Sequence, residues 1–276
     1  MTSQTSEVVI QAGRRRALDP RELWSFRELF YFFTWRDVKV RYRQTLIGAG
    51  WAIIQPLAAM LVFTVFFHNV AGVSSGNVPY AIFAYSGLLF WNYFSTVVTA
   101  MSNSLVNHQS VITKIYFPRV IPPVSSSLLG IVDFSFAFVI FVCLMIYYGS
   151  TPSVVGLLLI VPMLVLSLIF AVGVGILLAA VNVKYRDVRT AMPFLVQLMM
   201  FMTPVIYPLS SFPHRFVWIV NLNPMAGVIS TMRAGLIGQG SIHWGQLGLS
   251  CVSAVIVLAL GLSYFARSEK RFADII

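Results

Sequence analysis

The sequence predicts an all-α integral membrane protein with six transmembrane helices. Three observations carry that prediction. Only 10% of the 276 residues are charged, against roughly 25% in a soluble domain. The mean hydropathy is +0.82 and 58% of the residues are hydrophobic, so most of the chain has a solvent other than water. Six apolar runs then match a hydrocarbon core of roughly 30 Å, which takes about 20 helical residues to cross.

In chain order, residues 1–18 read as a flexible N-terminus and 19–48 as an amphipathic helix lying along the cytoplasmic interface. Asp19 is placed to cap that helix, Pro20 takes its first position and Glu22 the capping-box position. Leu23, Phe26, Phe30 and Phe33 recur at helical spacing as an apolar stripe expected in the acyl boundary. Arg36, Lys39 and Arg43 form a basic face, and Asp37 is spaced to pair with Arg41 one turn on. Plain membrane anchoring and docking of a cytoplasmic partner both fit such a helix.

Residues 49–276 read as the membrane domain. The runs are Ala49–Ala71, Tyr80–Ser102, Val120–Tyr148, Ser153–Val181, Thr190–Tyr207 and Gly245–Ala266. The third and fourth are long enough to tilt, while the fifth is short and holds Pro193 and Pro204. Between the fifth and sixth, in residues 208–244, the apolar pieces Phe212–Val220 and Met225–Ile237 flank Asn223-Pro224. Neither piece is long enough to span. They fit short re-entrant helices whose backbone is satisfied by protein, or a loop packed on the surface of the bundle.

The net charge of +10 is distributed as loops of a membrane protein carry it, not as a groove for nucleic acid. Seventeen Lys and Arg fall in the N-terminal segment, the second and fourth loops and the C-terminal tail, and only Arg215 and Arg233 fall on the other side. The excess marks the cytoplasmic side, so both termini are expected there. Cys143 and Cys251 lie inside apolar runs and imply no disulfide framework. The start of the chain shows no secretory signal pattern.

No G-x-x-x-x-G-K-[ST] string and no Gly-Lys pair occurs, so the chain is not expected to cradle ATP phosphates. Its four histidines are scattered without metal-ligand spacing, and no catalytic constellation, cofactor or metal site is expected. Gly173 and Gly175, beside Ala171, Ala179 and Ala180, read as a surface for close helix packing. Asp133 is the only acid inside a predicted span. It is a functional candidate by its position alone, or a structural group satisfied by hydroxyls or by His68. The structural role is favoured, and Asp133→Asn is expected to leave function largely intact. Tyr85, Phe90, Trp91, Tyr93 and Phe94 in the second span read mainly as packing or interface anchors, with a minority as candidates to line a sugar path by stacking.

Four ordered motifs carry a family resemblance. They are Trp35-Arg36-Asp37-Val38-Lys39-Val40-Arg41-Tyr42 with Leu46-Ile47-Gly48, Trp51 and Gln55-Pro56; Asn107 with Ile112-Thr113-Lys114-Ile115-Tyr116-Phe117-Pro118-Arg119; Tyr185-Arg186-Asp187-Val188 with Thr203-Pro204-Val205-Ile206-Tyr207-Pro208; and Leu222-Asn223-Pro224-Met225. In that order and spacing the chain resembles the permease subunit of polysaccharide ABC exporters, the Wzm-like type-2 family that moves O-antigen, capsule or teichoic acid.

The resemblance implies a homodimer with two separate ATP-binding subunits, which would hold the ATP and Mg²⁺. It implies that Asn107, Ile112, Lys114, Ile115, Tyr116 and Phe117 belong to a coupling loop seated in the ATPase. On this reading, replacing Lys114 and Phe117 is expected to uncouple hydrolysis from export. The substrate would be a lipid-linked polysaccharide in the bacterial inner membrane, with Arg36, Lys39 and Arg43 as candidate contacts for its lipid phosphates; contact with anionic bilayer lipid is the plain alternative. An exporter of drugs or small lipids is the alternative within the family, and a secondary transporter is the more distant one. The latter would want inverted repeats and several intramembrane ionisable groups.

Overall fold

The computed structural model describes residues 20–43, 48–76, 78–185, 187–209, 212, 215 and 217–275. The readings at Asp19, Leu46-Ile47, Arg186 and His214, and those on the side chains of Glu22, Lys270 and Arg271, lie outside the described residues. Among the described residues every regular element is helical. The chain runs α1 (Pro20–Ser25), α2 (Arg27–Arg43), α3 (Trp51–Phe63), α4 (Tyr80–Asn107), α5 (Gln109–Ile112), α6 (Ile121–Ser127) and α7 (Leu129–Tyr147). It continues with α8 (Val154–Lys184), α9 (Asp187–Met202), α10 (Val217–Leu222), α11 (Pro224–Leu236) and α12 (Trp244–Ile275).

Five stretches are long and apolar enough to cross a bilayer: Trp51–Val70, Tyr80–Asn107, Ile121–Tyr147, Val154–Lys184 and Trp244–Glu269. The first is α3 continued by a π-helical segment over Thr64–Val70, and the third is α6 and α7 joined at Leu128. The fifth predicted run, 190–207, is instead the 16-residue α9 followed by turns. At 1.5 Å per residue α9 covers about 24 Å, and Pro204 prevents continuation through the Thr203–Tyr207 turn.

α4 is the centre of the bundle. It packs on α3, α7, α8 and α11, and nearly all of its apolar side chains are buried. α8 packs on α4 and α12 across its two sides. Gly173 lies against the α12 backbone at Leu258, and Gly175 two residues on lies against Met101 of α4. The pair of glycines therefore serves two different neighbours, as the small-residue pattern requires.

The region after α9 resolves into the short α10 and the 13-residue α11. The Asn223-Pro224 motif is the start signal: Asn223 Oδ1 accepts from the Met225 amide at 3.0 Å, and Pro224 sits where no intrahelical N–H is needed. α11 is nested among α4, α8 and α12 rather than lying on the bundle surface. Its Arg233 is buried and has no acidic partner among the described residues; it donates instead to carbonyls of Phe83, Pro204 and Val205. Its guanidinium also lies 3.5 Å from the Phe83 ring centroid, in cation–π range. The string Gly72-Val73-Ser74-Ser75-Gly76 has the spacing of a nucleophile elbow, but no strand precedes it. It is a turn in which both glycines have positive φ and Ser74 Oγ accepts from the Gly76 amide at 3.2 Å.

Candidate functional site

The site is built where α2, the α4–α6 connection and the end of α12 meet. α4 ends at Asn107, and the chain turns through His108 and α5 to Phe117. Phe33 of α2, Phe117 and Ile121 form a small buried cluster, flanked by Leu23, Phe26, Phe30 and Ile112. The Phe33 and Phe117 rings are 5.6 Å apart, and Phe33 meets His108 edge-on at 4.7 Å. The stripe expected in the acyl boundary therefore packs on protein, because Phe117 and Ile121 offer it an apolar surface. The outward aromatics of this segment are Trp24, Tyr31, Phe32 and Trp35.

The predicted coupling residues divide by burial. Lys114, Ile115 and Tyr116 are exposed at the tip, Asn107 and Ile112 lie at the base, and Phe117 is an inward anchor. Arg119 ties the far side of the loop to α12 by donating to the Glu269 carbonyl at 3.0 Å.

Two polar joints fix α2. In the first, Ser126 Oγ donates to Asp37 at 2.8 Å, and His108 Nε2 lies 3.3 Å from the other Asp37 oxygen. His108 Nδ1 lies 2.7 Å from the Ser104 carbonyl, so that nitrogen carries a proton. Burial alone would raise the Asp37 pKa, but the facing His108 ring, the hydrogen bond from Ser126 and the nearby Arg36 hold it below the ordinary carboxylate value. In the second joint, Arg41 Nη2 lies 2.6 Å from Asp133, and the Tyr42 hydroxyl donates to the other Asp133 oxygen. Burial and the Asp133 acceptor push the Tyr42 pKa up.

Two expectations are corrected here. Asp133 is satisfied by Arg41 and Tyr42 of α2, not by Ser or Thr hydroxyls or by His68, which stacks on Tyr80. Arg41 pairs with Asp133 rather than with Asp37, because Asp37 is turned towards His108 and Ser126. Arg41 is about two-fifths exposed, so the ion pair contributes only about 1 kcal/mol. Asp133→Asn, which keeps an acceptor for Tyr42, is expected to retain near-normal function. Asp133→Leu leaves Arg41 and Tyr42 without their acceptor and is expected to loosen α2, read as faster protease cleavage after Arg41 or Arg43 in membrane vesicles. Equal cleavage of Asp133→Leu and the unaltered protein would remove the joint from the account.

Beside this joint lies a cavity of about 640 Å³, with Arg36, Asp37 and Arg41 on its α2 side and Thr99, Asn103 and Asn107 on its α4 side. Of the three predicted phosphate contacts, Arg36 lines it, whereas Lys39 and Arg43 are exposed elsewhere on α2. A smaller cavity of about 140 Å³ shares Arg41, Ser95 and Thr96 and reaches Asn92 and Asp133. Tyr85, Phe90, Trp91, Tyr93 and Phe94 are each at most 3% exposed. They pack within the chain; the Tyr85 hydroxyl donates to the Ala137 carbonyl at 3.0 Å, and Phe94 stacks on Phe170. Tyr93 also lines the smaller cavity, and the rest of the α4 lining is mainly polar: Asn92, Ser95, Thr96, Thr99 and Asn103, which the sequence reading passed over, and Asn107. Their signal is present in the sequence as Asn and Thr recurring every three or four positions inside an apolar run. Among the described residues no group of His, Cys, Asp and Glu is arranged to hold a metal ion.

Long apolar helices with the short α11 nested among them define a multi-pass helical membrane protein. The family model of the ABC-2 type transporter matches residues 28–237. The chain is 30% identical over 258 residues to the O-antigen export system permease protein RfbA of Myxococcus xanthus, covering 92% of this chain and 97% of that one. It is 28% identical over 249 residues to the RfbA permease of Klebsiella pneumoniae, covering 90% and 95%. It is 19% identical over 236 residues to the polysialic acid transport protein KpsM of Escherichia coli, covering 85% and 91%. The chain belongs to the ABC-2 type transporter family.

Proposed function

We propose that this chain is the membrane subunit of an ATP-driven exporter of polysaccharide, working as a homodimer with two separate ATP-binding subunits. Relatives along nearly the whole chain named as O-antigen export permeases support the substrate class. The absence of a phosphate-binding Gly-Lys motif supports assigning ATP and Mg²⁺ to the partner. The excess of Lys and Arg in one set of loops supports cytoplasmic termini, and with them a division into a flexible segment (1–18), an interfacial segment (19–48) and a membrane domain (49–276). On that orientation Trp24, Tyr31 and Trp35 face the headgroup layer, where aromatic side chains are favoured.

The observation that carries the coupling assignment is the form of the 109–117 loop. Its base is clamped by Phe33 and Phe117, while Lys114, Ile115 and Tyr116 project outward. A rigid base and an exposed mixed tip suit a surface that receives motion from a partner and passes it to α4. Phe117 holds the base, so its replacement reports on folding; the docking test belongs to Lys114 and Ile115. Lys114→Glu combined with Ile115→Asp is expected to abolish co-purification of the ATP-binding subunit and to stop export at unchanged membrane abundance. Normal co-purification with normal export would sink the coupling assignment.

A further inference from the structure

We infer that the open face of α4, with the cavity it lines, is a binding track for sugar residues, held by neutral side chains that both donate and accept hydrogen bonds. The inference rests on the polysaccharide reading above and names the surface that reading leaves unassigned.

α4 is buried on most of its circumference. Its open side carries Asn92, Ser95, Thr96, Thr99, Asn103 and Asn107. From Asn92 to Asn107 the face extends about 22 Å at 1.5 Å per residue, a large part of the roughly 30 Å core. Both cavities open on this face, the larger against Thr99, Asn103 and Asn107 and the smaller against Asn92, with Ser95 and Thr96 in both.

Hydrogen bonding separates this face from the rest of the helix. On the buried sides, Ser86, Ser102 and Ser104 donate to carbonyls one turn back at 2.8, 3.0 and 2.7 Å. On the open side Asn103 is engaged, donating to the Thr99 carbonyl at 2.9 Å and accepting from Asn182 at 3.4 Å. The side chains of Asn92, Ser95, Thr96, Thr99 and Asn107 have no hydrogen-bond partner among the described residues. Polar groups left open at membrane depth are tolerated where they face a water-filled or ligand-filled space, not lipid tails.

The chemistry of the face selects the ligand. The α4 face itself holds no Asp, Glu, Lys or Arg, and across the two cavities it meets Arg36, Asp37, Arg41, His108 and Asp133, which are tied to one another in the two joints of α2. Its named side chains are hydroxyls and carboxamides, and Leu89, Tyr93 and Ala100 of the same helix supply the apolar part of the lining. The α2 side contributes Arg36, Asp37 and Arg41, which carry both signs, so the cavity is not a simple anion trap. Hydroxyls and carboxamides each donate and accept, as sugar hydroxyls do, and a row of them lets successive sugars exchange partners. Single neutral hydrogen bonds are weak enough in net terms to release a moving ligand.

The test uses the full chain with its ATP-binding partner in cells that make the surface polymer. Thr96→Val with Thr99→Val keeps the volume and breaks no hydrogen bond made by either side chain to a described residue. Surface polymer is expected to fall about tenfold at equal membrane abundance, while Thr96→Ser with Thr99→Ser stays near normal. Normal export by the valine pair overturns the inference. Labelling of Thr99→Cys, in a Cys143→Ser and Cys251→Ser background, with a water-soluble maleimide decides the matter if the valine pair is poorly inserted. It is expected to react more slowly in membranes from polymer-making cells than in membranes from cells unable to make the polymer. Equal rates overturn the track. Deletion of the whole chain keeps the two levels distinct: if surface polymer persists, the export reading itself fails; if it is lost but the valine pair exports normally, only the track fails.

Discussion

Arg233→Met is expected to be the most damaging single substitution outside a backbone change, lowering stability by about 3–5 kcal/mol. The guanidinium is buried and reaches the Phe83 carbonyl of α4 at 3.1 Å, the Pro204 carbonyl at 2.7 Å and the Val205 carbonyl. The turn after α9 has no helical donors for these carbonyls, and Arg233 supplies them from α11. Methionine fills part of the volume and leaves the Pro204 and Val205 carbonyls without their donor, each costing about 1–3 kcal/mol when buried, while the Phe83 carbonyl keeps the Ser86 hydroxyl. Lysine restores the charge but not the planar fork that serves several oxygens together, so Arg233→Lys falls between. Detergent-solubilised protein followed by a thermal unfolding scan reads the order: wild type, then lysine, then methionine. A methionine variant as stable as the unaltered protein would show that Arg233 is not the tie between α4, the turn and α11. Gly87 belongs to the same structure, since a Cβ there would run into the Val205 carbonyl and the Arg233 guanidinium.

Gly173→Val should separate α8 from α12, the pair with the most extensive packing in the bundle. A Cβ at Gly173 would lie 2.7 Å from the Leu258 backbone, and Gly261 of α12 is in turn pressed against the Gly173 carbonyl. Both neighbours are backbone, so relief requires the helices to part. Overpacking of this kind costs about 1–3 kcal/mol, with the upper end expected because no side chain is available to swing aside. Gly248→Ala on α12 is the control: its Cβ meets nothing within 4 Å, and alanine is the better helix former by about 1 kcal/mol. The same unfolding scan should show Gly173→Val lowered and Gly248→Ala unchanged or raised. Equal behaviour of the two variants would remove close glycine packing from the account of the bundle.

Helix starts were legible where local chemistry sets them. Pro20 marks the start of α1, where its missing N–H costs nothing, and Asn223-Pro224, which the sequence shows as a break between two apolar pieces, caps and starts α11. Gly173 and Gly175 were legible as packing positions for a similar reason, because small residues in an apolar helix have few other uses. The limits of α9 were less legible. Apolar composition runs on to Tyr207, while the helix stops at Met202 before Pro204.

The candidate site was legible as a segment but not as an arrangement. Lys114, Ile115 and Tyr116 form the exposed tip as the motif suggested, yet Phe117 beside them points into the α2 cluster. Adjacent residues on a loop share a sequence motif without sharing an environment. The aromatics of α4 read mainly as packing residues, and the structure buries them; which of them also lines a cavity, Tyr93, was not legible.

The sequence by itself determined that the chain lives in lipid, where most of its long apolar helices begin and end, which connecting segments hold its positive charge, and that no Gly-Lys phosphate-binding string occurs. Tertiary structure alone decided which partner each polar group meets: Arg41 with Asp133 and Asp37 with His108, pairs separated by 92 and 71 positions. It also decided which side of α4 is open. The reason is physical. In water, apolar periodicity separates inside from outside, but in a bilayer both the protein interior and the surrounding solvent are apolar, so hydropathy fixes a helix in the membrane and leaves its rotation to packing.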